Sequence, residues 1–401
     1  MKERITWQEA RDLLIEVTKT IGTESLPIKE TYGRICAKDI AAKKNVPPFD
    51  RSPFDGYAFR SADTQRDLPV TLSILEEIPA GSVPMKEVTE GTAVKILTGA
   101  PMPMGADAVT KFEETEFTTE SVTLKRAYEY DENVIHAGED IQAGEIIAHQ
   151  GQEIDAGLAG TFASQSIPTV EVYALPKIGI LTTGSELKEI DEEEEAGKIP
   201  NSNRYSFEAA VKKAGCIPVY LGTPGDSVEE ISDMIRAGLE KCDAILTTGG
   251  VSVGDYDLTE EAYRMVGAEI LCRNVRLKPG GKSCYAIYEG KMLFGLSGNP
   301  ASALTNFYAA VLPAIRKLTG REAYYPEFTA YLAEDFKKKS KQPRLLRGKL
   351  EFQEGKVYFR HAKQQGNGAL HTMAGANAIA EIEAGASPLP KGSELKAYYI
   401  G

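Results

Sequence analysis

Ile180-Leu181-Thr182-Thr183-Gly184 and Ile245-Leu246-Thr247-Thr248-Gly249 are one pentapeptide read twice, and each copy ends an apolar run and begins a glycine-containing loop. Around them the apolar runs 178–181, 217–221 and 244–246 alternate with helical patterns over 207–214 and 231–239, which is the signature of βαβ units. Two such similar strand ends share one rim of a parallel sheet. Ser227-Val228-Glu229-Glu230 has the form of a capping box, and Asn299-Pro300 places a cap and a first-turn proline before a helix over 301–318. The stretch 177–320 therefore reads as an α/β domain.

Outward from it the regime changes. Thr6-Trp7-Gln8-Glu9 is a second capping box, and Ala10, Leu13, Leu14, Val17 and Ile21 follow at the spacing of one apolar helical stripe. From about 43 to 141, short β-like runs (70–75, 93–97, 122–124) are punctuated by Gly and Pro, so a β-rich domain is expected there. A helical pattern over 156–163 and a strand over 170–173 precede Pro176. Beyond Gly320, the alternation at Leu350/Phe352 and Val357/Phe359 predicts a small terminal β domain.

The chain has 401 residues, enough for about three domains, and its 42% hydrophobic and 26% charged residues suit several packed cores. A net charge of −12 gives no global attraction for nucleic acid or an anionic membrane, so any polyanionic ligand needs a local basic patch. No run approaches the roughly 18 apolar residues of a membrane span. Met1-Lys2-Glu3-Arg4 leads into polar sequence, so a cytoplasmic location is expected. Five scattered cysteines without a C-x-x-C pair read as reduced, buried thiols, and four histidines show no metal-ligand spacing. The runs 192–195 (Glu) and 337–339 (Lys) read as solvated loops.

Ligands of a doubly wound sheet bind beyond the carboxyl ends of its strands. Three acids stand there: Glu186 after the first Thr-Thr-Gly, Asp226 after Tyr220-Leu221-Gly222, and Asp257 in the loop 249–257. Convergent carboxylates suit a hard cation such as Mg²⁺ bridging phosphate oxygens, while capping of the following helices by Asp226 and Asp257 is the alternative. The glycine-rich loop 249–254, with Gly249, Gly250 and Ser252, lacks the Gly-Lys-Ser/Thr ending of a Walker A loop. Lys278-Pro279-Gly280-Gly281-Lys282 can meet phosphate or an oxyanion, or be an exposed turn. Ser297-Gly298-Asn299-Pro300 is an anion-receiving helix start or a plain cap. In the β-rich stretch, the loop 47–58 carries Asp50 and Asp55 among prolines and aromatics, either a functional loop or a packed Ω-type one; Thr98-Gly99-Ala100-Pro101 and Gly138-Glu139-Asp140-Ile141 raise the same choice.

Phe54-Asp55-Gly56-Tyr57-Ala58, Leu97-Thr98-Gly99-Ala100-Pro101, Gly105-Ala106-Asp107-Ala108-Val109, Gly138-Glu139-Asp140-Ile141, Thr183-Gly184-Ser185-Glu186-Leu187, the loop 249–254 and Gly298-Asn299-Pro300 occur in order along nearly the whole chain. Together they resemble the MoeA family of molybdopterin molybdenumtransferases, related to the E domain of gephyrin. The resemblance implies a multidomain α/β protein: a discontinuous, elongated helical domain (1–42 and 141–176), a β-rich domain (43–140), a MogA/MoaB-like three-layer α/β domain (177–320) and a C-terminal β-barrel (321–401). It implies a homodimer with the active site between subunits, a MogA/MoaB-type adenylyltransferase and apo-molybdoenzymes as possible partners, and neither nucleic acid nor membrane. The implied reaction inserts molybdate into adenylylated molybdopterin at the dithiolene, with Mg²⁺-dependent release of AMP. The implied catalytic acids are Asp55, Asp140, Glu186, Asp226 and Asp257, with Glu186, Asp226 and Asp257 as metal ligands. Thr98, Gly249, Gly250, Ser252, Lys278, Lys282, Ser297, Asn299 and Arg347 are the implied substrate-binding residues.

Two positions depart from the family pattern. Pro279-Gly280-Gly281-Lys282 stands where Pro-Gly-Lys-Pro is usual, which shifts the lysine, and Asn367 stands where serine is common. Two other readings compete: an adenylyltransferase, against which the extra β domains speak, and a noncatalytic scaffold, against which the five acids speak.

Overall fold

A computed structural model describes residues 1–250, 258–386 and 388–401. Its centre is a seven-stranded mixed sheet in the order Lys2–Glu3, Glu269–Arg273, Ser283–Tyr288, Lys291–Leu296, Ala244–Thr248, Lys177–Thr182, Ile217–Gly222. The last four strands run parallel, with Thr182 opposite Thr248 and Thr248 opposite Leu296. Both faces are covered, which is why these strands are apolar throughout instead of alternating. Ile178, Ile180, Leu246 and Phe294 pack under the helix Ser202–Lys213 and the Pro300–Leu318 segment, while Leu181, Ile245 and Leu293 pack under Val228–Leu239 and Leu258–Met265. Three layers result.

The helix expected over 301–318 is interrupted by a π turn, Phe307–Val311, between Pro300–Asn306 and Leu312–Leu318. Pro313 explains the interruption: it has no N–H to donate one turn back, and the wider turn accommodates the missing bond.

The opening helix, Trp7–Val17, closes its capping box as expected: Thr6 Oγ1 accepts from the Glu9 N–H and Glu9 Oε2 accepts from the Thr6 N–H. The sequence reading placed this helix within the 1–42 segment of a discontinuous domain. Its stripe instead packs on the α/β layer, with Trp7 and Leu14 in one cluster with Phe207 and Phe307, and Trp7 Nε1 donates to Glu381 Oε1 of the terminal domain at 3.1 Å. An amphipathic stripe specifies that a helix is buried, not which surface receives it.

The segments around 23–41 and 146–173 are joined by pairing of Thr23–Pro27 with Thr169–Tyr173 and of Ile40–Ala41 with Ile146–Ala148, beside the helix Ala156–Ser164. The β-rich region is a six-stranded sheet ordered Ala108–Lys111, Gly56–Phe59, Thr92–Ile96, Val70–Ile78, Ser121–Leu124, Thr115–Phe117. The terminal region closes as a barrel of Glu327–Leu332, Lys356–His361, Arg344–Gln353, Ala378–Ile382 and Glu394–Tyr399. All five cysteines are buried. Among the described residues no helix is long and apolar enough to cross a membrane.

Candidate active site

Because four neighbouring strands run parallel, their carboxyl ends meet on one rim: Ser297 and Asn299 after Lys291–Leu296, Gly249 and Gly250 after Ala244–Thr248, Glu186 after Lys177–Thr182, and Asp226 after Ile217–Gly222. The rim is stitched by Thr183 N–H donating to Thr248 O at 2.8 Å and Gly249 N–H donating to Leu296 O at 3.0 Å. Glu186 is exposed, and its carboxylate folds back over Gly184, where a Cβ would lie 2.4 Å from Glu186 Oε2. Asp226 does not cap the helix after it. Ser227 Oγ accepts from the Glu230 N–H at 3.3 Å, Glu230 reaches back to the Gly225 N–H at 3.0 Å, and the exposed Asp226 carboxylate bonds to no described residue. Asn299 likewise makes no side-chain cap bond; its N–H donates to Ser297 Oγ at 3.3 Å. Gly249 and Gly250 turn toward the helix Leu258–Met265, where Thr259 Oγ–H donates to Gly249 O and Thr259 N–H to Gly250 O. Ser252 and Asp257 lie outside the described residues.

Among the described residues no three His, Cys, Asp or Glu side chains are grouped closely enough to hold a metal ion. Mg²⁺ needs less from a protein: one or two carboxylates, with waters and substrate phosphates completing its octahedron. Glu186 and Asp226, two exposed carboxylates beyond adjacent strands, fit that donor set.

Lys278 sits on the seam between sheet and barrel, its N–H donating to Pro343 O at 3.0 Å and its carbonyl accepting from Leu345 N–H at 2.9 Å. The β-bridge between Lys278 and Arg344 sets Arg347 three residues further along the same strand. Arg347 is fully buried; its Nη2 donates to Gly366 O at 3.2 Å and Gln364 O at 3.4 Å, while Nε and Nη1 have no partner among the described residues. Burial, and after it the charge of Arg344, lowers the Arg347 guanidinium to about 10. Arg344 is buried too, and its Nε has no partner among the described residues. No acid among the described residues pairs with Lys278, Lys282, Arg344 or Arg347.

In the β-rich domain, Thr98 N–H and Oγ–H both donate to Asp55 Oδ1, at 2.7 Å each, which holds the Asp55 carboxyl below its ordinary range and leaves Oδ2 without a protein partner among the described residues. The ionised form is therefore favoured, and that contribution is lost only as pH falls through the depressed value. Replacing Thr98 with Ala removes one donor, so the Asp55 carboxyl should titrate higher, closer to the ordinary range; carbon-13 NMR of the carboxyl reads it directly, and an unmoved titration would show the hydroxyl to be irrelevant. Asp140 is exposed and its N–H donates to Val46 O at 3.0 Å, beside a loop where His136 bridges Asp131 and Asp50. Within one chain, no hydrogen bond or ion pair among the described residues joins Asp55, Thr98 or Asp140 to the rim.

The family profile described as "MoeA N-terminal region (domain I and II)" matches residues 5–166, "Probable molybdopterin binding domain" matches 179–317, and "MoeA C-terminal region (domain IV)" matches 329–400. The chain is 35% identical over 385 residues to a protein of Staphylococcus epidermidis named molybdopterin molybdenumtransferase, covering 95% of this chain and 92% of that one. The chain belongs to the MoeA family. A Staphylococcus aureus relative of the same name is 33% identical, with 94% and 91% covered. A crystal structure titled as the molybdopterin biosynthesis MoeA protein from Pyrococcus horikoshii superposes with a TM-score of 0.87 at 27% identity, covering 99% of each chain.

The fold explains how this member departs from the MoeA pattern. At Gly281, where the family usually has lysine, a Cβ would meet Val275 O at 2.5 Å and Leu277 O at 2.7 Å, so no side chain stands there and the lysine occupies 282. Gly281→Lys should therefore destabilise the fold by about 3 kcal/mol, read as a lowered urea midpoint; an unchanged midpoint would mean that the loop relaxes freely. Asn367 engages through its backbone: its carbonyl accepts from Ser302 N–H at 3.2 Å, whatever its side chain.

Sequence reasoning missed four residues. Asn201 Nδ2 donates to Thr182 Oγ1 at 2.9 Å and Thr223 Oγ1 at 3.2 Å, and Asn203 Nδ2 donates to Gly298 O at 2.8 Å, so this asparagine pair clamps the strand ends that form the rim. The signal was Asn-Ser-Asn at a helix start. Arg344 and Asn306 carried no local signal.

Proposed function

We propose that the chain is a molybdopterin molybdenumtransferase of molybdenum cofactor biosynthesis, using adenylylated molybdopterin and molybdate and releasing AMP. The observation that carries this reading is the set of four cations, Lys278, Lys282, Arg344 and Arg347, without acid partners among the described residues, in a chain of net charge −12 and beside a rim that carries free carboxylates. A buried guanidinium left unpaired is costly unless an anion completes it. A tetrahedral dianion and a pyrophosphate are such anions.

Glu186 and Asp226, with Asp257, are the residues that would hold Mg²⁺. When bound, Mg²⁺ supplies positive charge to the phosphate oxygens of the substrate. Lys278, Lys282 and Arg347 hold the oxyanion, and Ser297, Asn299, Gly249 and Gly250 line the rim where the pterin and nucleotide lie. Asp55, kept ionised by Thr98, and Asp140 orient the attacking oxygen of water or molybdate. That oxygen forms a new P–O bond to the adenylate phosphorus as the phosphoanhydride P–O bond breaks and AMP departs, and the two dithiolene sulfurs bind the molybdenum while their two thiol protons and one molybdate oxygen leave as water. Asp55 and Asp140 reach the rim of a second copy in a homodimer; an adenylyltransferase supplies the substrate and apo-molybdoenzymes take the product.

The test supplies the protein with adenylylated molybdopterin, Mg²⁺ and molybdate, and follows AMP together with activation of an apo-molybdoenzyme. Molybdate-dependent release of AMP is expected. Release that ignores molybdate, or no release, would defeat the reading.

A further inference from the structure

The turn that carries the seam lysines contains two adjacent glycines, the most flexible pair a chain can have, yet it is held from three sides. Lys278 is paired on both backbone groups with the barrel strand. Gly281 lies against the carbonyls of Val275 and Leu277. Gly280, at φ +95, lies on the helix Pro300–Asn306, where a Cβ would meet Ser302 O at 2.5 Å and Asn306 Cβ at 3.1 Å. Its carbonyl accepts from Asn306 Nδ2 at 2.6 Å.

Asn306 is itself pinned. It is 1% exposed, and its Oδ1 accepts from the hydroxyl of the fully buried Tyr285. The amide orientation is forced: Gly280 O can only accept, so Nδ2 faces it and Oδ1 faces Tyr285. The π turn Phe307–Val311 begins at the next residue, where the helical ladder changes register. A hydroxyl in the sheet, an amide at the helix bend and a carbonyl in the glycine turn thus form one buried relay.

We propose that Asn306, backed by Tyr285, is a positioning residue that holds the Gly280-Gly281 turn so that Lys278 and Lys282 are presented to the oxyanion. Neither asparagine nor tyrosine touches the anion; they act by removing freedom from the turn before binding. This rests on the reading above that these lysines receive molybdate. Freed of the clamp, the two glycines lose their fixed conformation, and the ordering they then undergo on binding weakens affinity without altering the contacts made.

The experiment titrates the full-length protein with molybdate by calorimetry and measures AMP release against molybdate and against adenylylated molybdopterin, for Asn306→Leu, Tyr285→Phe and Lys278→Ala. Asn306→Leu keeps the branched side-chain skeleton and removes both hydrogen bonds. It should raise the molybdate Kd and KM roughly tenfold, with the pterin KM and the saturated rate within about twofold. Tyr285→Phe should shift the molybdate KM in the same direction by about threefold. If Lys278→Ala weakens molybdate while folded Asn306→Leu does not, the positioning role is wrong and the oxyanion reading stands. If Lys278→Ala leaves molybdate binding unchanged, the oxyanion reading itself fails. Equal losses toward both substrates would mark Asn306 as merely structural. Should Asn306→Leu not fold, Tyr285→Phe decides alone, and an unshifted molybdate KM there overturns the proposal.

Discussion

Arg347→Met should leave the protein at least as stable as the parent and lower molybdate-dependent AMP release by about two orders of magnitude or more. The two halves of this expectation have one cause. Arg347 is wholly buried, with Nε and Nη1 unpartnered among the described residues and with Arg344 nearby as a like charge. A base whose value is lowered on folding opposes the fold wherever it is charged, and the opposition is relieved only as pH rises through the lowered value. Lowering to about 10 amounts to roughly 3 kcal/mol against the folded state at neutral pH. Methionine has similar volume and no charge, so the change removes this cost, against the loss of two long bonds to Gln364 O and Gly366 O. The midpoint of urea unfolding should therefore hold or rise. An unfolding free energy lower by several kcal/mol would make Arg347 a structural residue; a fully active variant would remove it from the anion site.

Asp55→Asn and Asp226→Asn should each depress turnover by about 100-fold or more, yet a heterodimer of one of each should recover about half the parental activity. Asp55 belongs to the β-rich domain and Asp226 to the sheet rim, and no hydrogen bond or ion pair among the described residues joins their neighbourhoods within a chain. If each site takes Asp55 from one subunit and Asp226 from the other, a mixed dimer holds one site with both acids intact and one with neither. Two different affinity tags, purified in series, isolate that species. Should it be as inactive as either parent variant, the acids act within one subunit or not together, and the shared site is excluded.

Much of the architecture is legible in short stretches. The repeated Ile-Leu-Thr-Thr-Gly ends two neighbouring parallel strands, paired one residue out of step with the repeat, the Thr6 capping box closes, and the runs 70–75, 93–97 and 122–124 fall in or at the end of strands of one sheet. The Ser227 cap forms without its reciprocal partner, since Glu230 turns to Gly225. That detail frees Asp226, and spacing alone left its role open. Arg347 was identifiable only through the family motif, and nothing local singled out Arg344 beside it.

By itself, then, the sequence determined the helix and strand periods, the caps, the rim residues and the family, because each is written in side chains a few positions apart or in motifs whose order survives divergence. Only the tertiary structure decided that the first helix packs on the Pro300–Leu318 segment of the α/β domain, that four cations lie without acid partners among the described residues, and that Asn306 holds a glycine turn 26 residues away. The physical reason is that burial and pairing are properties of which surfaces meet. The same amphipathic stripe, arginine or asparagine has a different energy in each environment, and no local pattern specifies which environment it will enter.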